Sequence, residues 1–263
     1  MNGAQPSNSG LKCMESSMFE SGFRAGVKAF LRETLFLPNG VCPVCKKVLF
    51  RTESYLCERC AQSLPRVTMP ACKYCGKPLS EKGMDFCGDC GPLRDPVLDG
   101  GVVWLHYIGS GQKLVHSLKF GHLPQLGSWI GRQMAEAVKE KDWAEKLELV
   151  AAVPLHEKRL EERGYNQSDY LAEGLADVLN LPYKREVLKR LYDTPHQIGL
   201  SREERLVNLT GAFAVSQEKN VAGKTILLVD DVNTTGSTLR ECAQALKRAG
   251  ARAVYTAVCA GAQ

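Results

Sequence analysis

The chain has 263 residues, of which 44% are apolar and 24% charged, with a formal net charge of +5. Those totals belong to an ordinary globular protein with room for one large domain or two smaller ones. The charge does not by itself point to nucleic acid, and no run of about 18 apolar residues exists, so no transmembrane helix is expected.

Residues 1–16 are rich in Ser, Asn and Gly and read as a disordered tail. In 17–39, Phe19, Phe23, Val27, Phe30, Leu31 and Leu35 form a helical stripe that Pro38 and Gly40 end. Basic residues are few there, so an amphipathic helix packed on the next segment is favoured over one lying on a membrane surface. Arg24, Lys28 and Arg32 interrupt what would be the apolar region of a secretory signal, and a cytoplasmic location is expected. Eleven cysteines in such a chain point to metal and not to a disulfide scaffold.

Residues 40–95 hold a repeat. Cys42-Pro-Val-Cys45 and Cys57-Glu-Arg-Cys60 flank eleven residues, and Cys72-Lys-Tyr-Cys75 and Cys87-Gly-Asp-Cys90 flank eleven more. Leu49 aligns with Leu79 and Leu56 with Phe86. Two such thiolate turns complete the tetrahedron of one Zn²⁺. Sequential pairing closes the shorter loops: Cys42, Cys45, Cys57 and Cys60 hold one ion, and Cys72, Cys75, Cys87 and Cys90 the other. A cross-braced pairing is the alternative. Cys13, Cys242 and Cys259 lack partners at this spacing and read as plain thiols. Nine Lys/Arg against six Asp/Glu give this segment +3, which eight thiolates and two Zn²⁺ convert to −1. Its aromatics are Phe50, Tyr55, Tyr74 and Phe86. The electrostatic footprint of a nucleic-acid binder is weak, and a structural or partner-docking role is favoured.

Residues 96–263 read as α/β. After a linker, Pro92 to Asp99, a strand is expected over Gly100–Tyr107. A helix over Ser110–Phe120 places Leu114, Val115 and Leu118 on one face, with Lys113 and Lys119 on its solvated side. A second helix covers Leu123–Val138. A buried strand covers Leu147–Val153, and Pro154 breaks it. The polar, cationic stretch from Leu155 to Gln167 follows that strand's carboxyl end, where ligands of open α/β sheets collect. Ser168–Leu179 reads as a helix. Asp193–Phe213, with Gln197, Arg202 and Arg205, reads as a functional loop with a short helix. Thr225–Val229 is a buried strand that ends at Asp230 and Asp231. The turn from Thr234 to Thr238 leads into a helix, Leu239–Gly250, and Arg252–Cys259 supplies a last strand. The alternation implies a mostly parallel sheet. Hydroxyls and N–H groups at a helix start favour an anion, and adjacent carboxylates can hold vicinal hydroxyls or a hydrated Mg²⁺. The stretch therefore reads as a phosphate-and-sugar site. Two decoys fail. Gly223-Lys224-Thr225 has Glu218 where a Walker A motif needs its first glycine, and a strand follows it. His156-Glu157 lacks a second histidine, since position 160 is Leu160.

Leu228-Val-Asp-Asp-Val-Asn-Thr-Thr-Gly-Ser-Thr238 closely resembles the phosphoribosyl pyrophosphate (PRPP) signature of type I phosphoribosyltransferases. With the cysteine-rich front, Arg163-Gly-Tyr-Asn-Gln167 and Gln197…Arg205…Asn208…Gly211-Ala-Phe213, nearly the whole chain resembles the ComF family. The likeness thins before residue 40. In that family a zinc-ribbon-like module precedes a type I phosphoribosyltransferase domain, and members are linked to natural competence and DNA uptake. The resemblance implies a mostly parallel sheet flanked by helices, two structural Zn²⁺ and a Mg²⁺. It implies that Asp230 and Asp231 hold the ribose 2- and 3-hydroxyls, directly or through Mg²⁺. Thr234, Thr235, Gly236, Ser237 and Thr238 would cradle the 5-phosphate, and Val229 belongs to the same PRPP-binding set. Pro154 and His156 fall in the implied pyrophosphate loop, with Lys158, Arg159 and Arg163 adding charge and Arg205 on a mobile loop. The implied chemistry is displacement of diphosphate from ribose C1 by a nucleophile, with Asp230, Asp231, Arg163 and Arg205 in catalytic roles. Two readings follow. One is a phosphoribosyltransferase acting on an unidentified base, which the sequence shows no element for choosing. The other is a non-catalytic adaptor that senses PRPP or a nucleoside monophosphate and docks single-stranded DNA or a DNA-processing protein through its zinc module.

Overall fold

The structure is a computed structural model that describes residues 40–49, 55–68, 70–81, 83–93, 96–192 and 211–262. The expected tail and amphipathic helix lie outside these residues, as do Cys13, Phe50, Gln197, Arg202, Arg205 and Asn208. In chain order the elements are α1 (Glu58–Gln62), β1 (Gly100–His106), α2 (Gly109–Phe120), α3 (Pro124–Lys139), β2 (Leu149–Ala152), α4 (Glu157–Arg163), α5 (Gln167–Leu179), β3 (Leu188–Arg190), β4 (Phe213–Val215), β5 (Thr225–Asn233), α6 (Ser237–Arg248) and β6 (Ala253–Gly261). Among them no helix is long and apolar enough to cross a membrane.

Four strands form a parallel sheet in the order β1-β6-β5-β2, and β3 pairs antiparallel with β4. Side chains alternate across a strand, and β5 shows the consequence. Leu227 and Val229 point into one apolar layer, with Leu118 of α2, Ile130 of α3 and Leu171 of α5. Ile226 and Leu228 point into the other, with Leu239, Cys242 and Leu246 of α6. Both faces are covered, which is why these strands read as unbroken apolar runs. The lone thiols Cys242 and Cys259 are fully buried in these layers and join no cysteine cluster.

Helices α3 and α5 touch backbone to backbone. A Cβ on Gly174 would lie 1.9 Å from the Ser128 carbonyl oxygen, and one on Gly131 would lie 2.1 Å from that of Leu171. Neither obstacle is a flexible side chain. Gly174→Ala should therefore cost about 3 kcal/mol through forced separation of the helices. Urea unfolding checks this, and a loss below about 1 kcal/mol would contradict the packing.

The cysteine repeat is a repeat in structure. In each copy the backbone folds back in the same way: Cys42 N–H donates to Lys47 O at 2.8 Å and Cys72 N–H to Lys77 O at 2.7 Å. The residue after the first turn adopts a left-handed conformation, φ +63° at Lys46 and +71° at Gly76. Lys46 is exposed, whereas a Cβ at Gly76 would meet the Gly101 carbonyl at 2.6 Å, so only the second copy demands glycine.

The repeat wraps the edge of the sheet. The segment joining its copies runs along β1: His106 N–H donates to Pro65 O at 2.8 Å, and Val67 N–H to Trp104 O at 2.9 Å. This covers a strand edge that would otherwise template aggregation. Leu49, Leu56 and Leu64 join the apolar layer of α2, α3 and α5, while Leu79 joins that of α6.

Helix α4 and strands β3 and β4 are not among the expected elements, and two boundaries next to the site also differ. Strand β5 does not stop at the aspartates but pairs on to Asn233, because β6 is equally long and supplies Ala260 and Gly261 as partners. Helix α6 starts at Ser237, two residues before the first apolar position of its stripe.

Candidate functional site

The carboxyl ends of β2 and β5 open into a cleft of about 610 Å³. Asp230 and Asp231 form its floor and are only 9% and 8% exposed. Asp231 N–H donates to Asp230 Oδ1 at 2.8 Å, and Ser168 Oγ donates to the same oxygen at 3.1 Å. Lys119 Nζ lies 3.0 Å from Asp231 Oδ1. Burial, and then repulsion from Asp231, push the Asp230 carboxyl up to about 7, against the two hydrogen bonds and Lys119. Burial alone would lower Lys119, but the two carboxylates outweigh it and leave its pKa raised. Lys119 is therefore held as a cation.

The Arg163–Gln167 segment explains how the cleft is built. Gly164 ends α4 at φ +76°, a conformation that suits glycine. Tyr165 Oη donates to Leu118 O at 2.6 Å and ties the segment to the end of α2, beside Lys119. Asn166 Nδ2 donates to Val153 O at 3.1 Å, and its Oδ1 caps α5 by accepting from Ser168 N–H at 3.2 Å. Those two bonds fix Ser168 next to Asp230. Arg159 and Arg163 line the same wall, with Arg163 stacked 5.3 Å over the Phe120 ring.

Opposite stands the turn into α6. Gly236 has φ +75°, and Thr235 Oγ1 and Ser237 Oγ share a hydrogen bond at 2.8 Å. Thr234 and Thr238 line the cleft. The first N–H groups of α6 follow, so the helix's positive end lies beside the cleft.

The structure thus brings Asp230, Asp231, Pro154, Arg159, Arg163, Thr234 and Thr238 to one cleft. His156 and Lys158 do not line it. His156 Nδ1 accepts from Lys158 N–H at 3.4 Å and caps α4. The Val229 side chain is fully buried in the core, and its carbonyl accepts from Val153 N–H at 2.9 Å and holds β2 against β5. Among the lining residues with polar side chains, Tyr107, Lys119, Ser168 and Arg190 were not expected. The expectation that Lys119 is solvated is corrected. It sits at the edge of the α2 stripe, where that helix ends over the acidic strand.

In the cysteine repeat, Cys42, Cys45, Cys57 and Cys60 gather in one cluster and Cys72, Cys75, Cys87 and Cys90 in another, the sequential pairing. Sγ separations of 3.6 Å between Cys45 and Cys57 and 3.7 Å between Cys75 and Cys87 match the ~3.8 Å edge of a tetrahedral zinc–thiolate site. The residues fit two structural zinc ions.

A parallel α/β sheet with this acidic strand end, joined to two clusters of four cysteines, defines a type I phosphoribosyltransferase fold carrying a double zinc ribbon. Residues 167–263 match the phosphoribosyl transferase domain family, and residues 33–91 the double zinc ribbon domain. Competence protein F of Haemophilus influenzae is 37% identical over 165 residues, which are 60% of this chain and 70% of that protein. DNA utilization protein YhgH of Escherichia coli K12 is 38% identical over 144 residues, 54% of this chain and 63% of that one. The chain belongs to this competence protein F (ComF) family. A solved glutamine PRPP amidotransferase from B. subtilis, complexed with ADP and GMP, gives a TM-score of 0.38 at 20% identity, over 55% of this chain and 30% of the other.

Proposed function

We propose that the cleft binds PRPP or a nucleoside monophosphate and that the chain serves DNA uptake or utilization, as the names of its relatives suggest for them. The observation that carries this reading is the buried Asp230–Asp231 pair between a helix-starting hydroxyl turn and a cationic wall. The carboxylates accept from the ribose 2- and 3-hydroxyls. The 5-phosphate sits against the N–H groups and hydroxyls of Thr234–Thr238. The diphosphate lies toward Pro154, where Arg159 and Arg163 offer charge. Asp230 and Asp231 are oxygen donors of the kind a hydrated Mg²⁺ takes, and that ion would neutralise charge on the diphosphate. Arg205 belongs to this proposal by sequence alone.

Calorimetry with PRPP and Mg²⁺ tests the reading. The wild type should bind, and the double variant Asp230→Asn/Asp231→Asn should bind at least about 100-fold more weakly, having lost two charged acceptors. Equal binding by both, or none by the wild type, would refute it.

A second reading, binding without turnover, is favoured by the Lys119–Asp231 pair. An ammonium already occupies the carboxylate that a metal-bound diphosphate would engage. Pyrophosphate release from PRPP over a panel of bases separates the two: turnover with any base selects the enzyme, and tight binding without release selects the sensor.

A further inference from the structure

The two zinc ribbons carry a lysine at the same repeat position, Lys47 and Lys77, directly after the first thiolate turn. Lys47 is exposed, but Lys77 is 3% exposed. Its ammonium forms an ion pair with Asp89 and donates to the backbone carbonyl of Thr234 at 2.5 Å. Asp89 lies between the ligands Cys87 and Cys90, and the matching residue of the first ribbon is Arg59, which could not serve as a lysine's counter-ion. Thr234 opens the phosphate turn. A buried ammonium is tolerated only when paired and hydrogen-bonded, so this contact is constrained at both ends.

We propose that Lys77 is a positioning residue through which the second zinc ribbon, and not the first, sets the conformation of the phosphate turn. The loops that would ligate the second ion hold Lys77 and Asp89, and Lys77 holds the carbonyl of Thr234, the residue that opens the turn. The first ribbon has no equivalent contact with this turn among the described residues. Its thiolates are also the accessible ones: Cys45 is exposed and Cys57 half-buried, while all four cysteines of the second cluster are buried. Occupancy of the first site can therefore change without disturbing the turn, and occupancy of the second cannot.

The test reads the turn without ligand. Amide hydrogen exchange at Thr234–Thr238 is measured in the zinc-loaded full chain, in Lys77→Met and in Lys47→Met. Lys77→Met should retain two zinc equivalents and exchange about tenfold faster at the turn, with the β5 and β6 core amides unchanged. Lys47→Met should match the wild type. An unchanged turn in Lys77→Met overturns the proposal.

Should Lys77→Met fail to fold, the wild type decides. Titration with a mercurial, followed by a chromogenic zinc chelator, should release the first equivalent with the turn still protected. The second equivalent should leave together with that protection. Loss of protection with the first equivalent, or protection that outlasts the second, overturns the proposal equally. The binding arm rests on the sugar-phosphate reading: PRPP affinity should fall about tenfold or more in Lys77→Met. If the wild type binds no PRPP, that reading fails, while the exchange measurements still decide the coupling.

Discussion

Asp230→Asn should make the ligand-free protein more stable relative to wild type as pH rises, while weakening its ligand site. The folded-state carboxyl is raised to about 7 by burial and by Asp231. An unfolded aspartate titrates near ~3.9. Between those values the unfolded chain sheds its proton and the folded one does not. Folding stability is therefore lost as pH rises from about 4 and is fully lost above about 7. About three pKa units correspond to roughly 4 kcal/mol, of which about 1.5 kcal/mol is already lost at pH 5. Asn keeps an oxygen that can accept from Asp231 N–H and Ser168 Oγ, but it buries an amide NH₂ at a cost of about 1–3 kcal/mol. That cost does not depend on pH. The difference between variant and wild type should thus become about 2–3 kcal/mol more favourable to the variant from pH 5 to pH 8. Urea unfolding at both pH values measures it, and a flat difference would mean that Asp230 is ionised throughout. Holding a carboxylate that the apo fold disfavours is the stability cost expected of a binding site.

Much of this site is written in local sequence. Strand β5, its aspartates and the turn into α6 are one continuous stretch, so periodicity, glycine and hydroxyl placement specify them without reference to the rest of the chain. The eight cysteines are equally local. What escapes a sequence reading is set by tertiary register. Lys119 follows Leu118 at the margin of an apolar stripe, and a helix wheel assigns such a position to solvent. Only the placement of the end of α2, fixed by Tyr165 on the Leu118 carbonyl, turns it toward Asp231. Lys77 escapes for a related reason. The repeat makes it equivalent to Lys47, and the difference lies in what is underneath: Gly101 and Thr234 beneath the second ribbon, and solvent around Lys47. His156 and Lys158 show the reverse case. They follow Pro154 closely in sequence yet do not line the cleft, because α4 begins there and the His156 ring caps it on the Lys158 backbone N–H.

Lys119→Met should lower stability and at the same time raise the affinity of the empty site for divalent cations. The lysine is partly buried, with its side chain 23% exposed against 11% for Asp231. Breaking a fully buried ion pair costs about 3–5 kcal/mol, and partial exposure reduces this to an expected ~2 kcal/mol at pH 8. The loss should shrink toward pH 5. Lys119 helps to hold Asp230 down, so without it Asp230 takes up a proton more readily and relieves the repulsion. Binding should change in the opposite direction. In the wild type an incoming cation must displace an ammonium at 3.0 Å from Asp231, and in the variant no side-chain cation opposes it there. Mn²⁺ or Mg²⁺ titration of the ligand-free protein should show affinity rising by about tenfold at pH 8, the equivalent of ~1.4 kcal/mol. If affinity falls instead, Lys119 does not compete with the metal for Asp231 but supports its binding there. The Asp231 carboxylate would then be engaged by Lys119 and the metal together, and the ion pair would no longer favour binding without turnover.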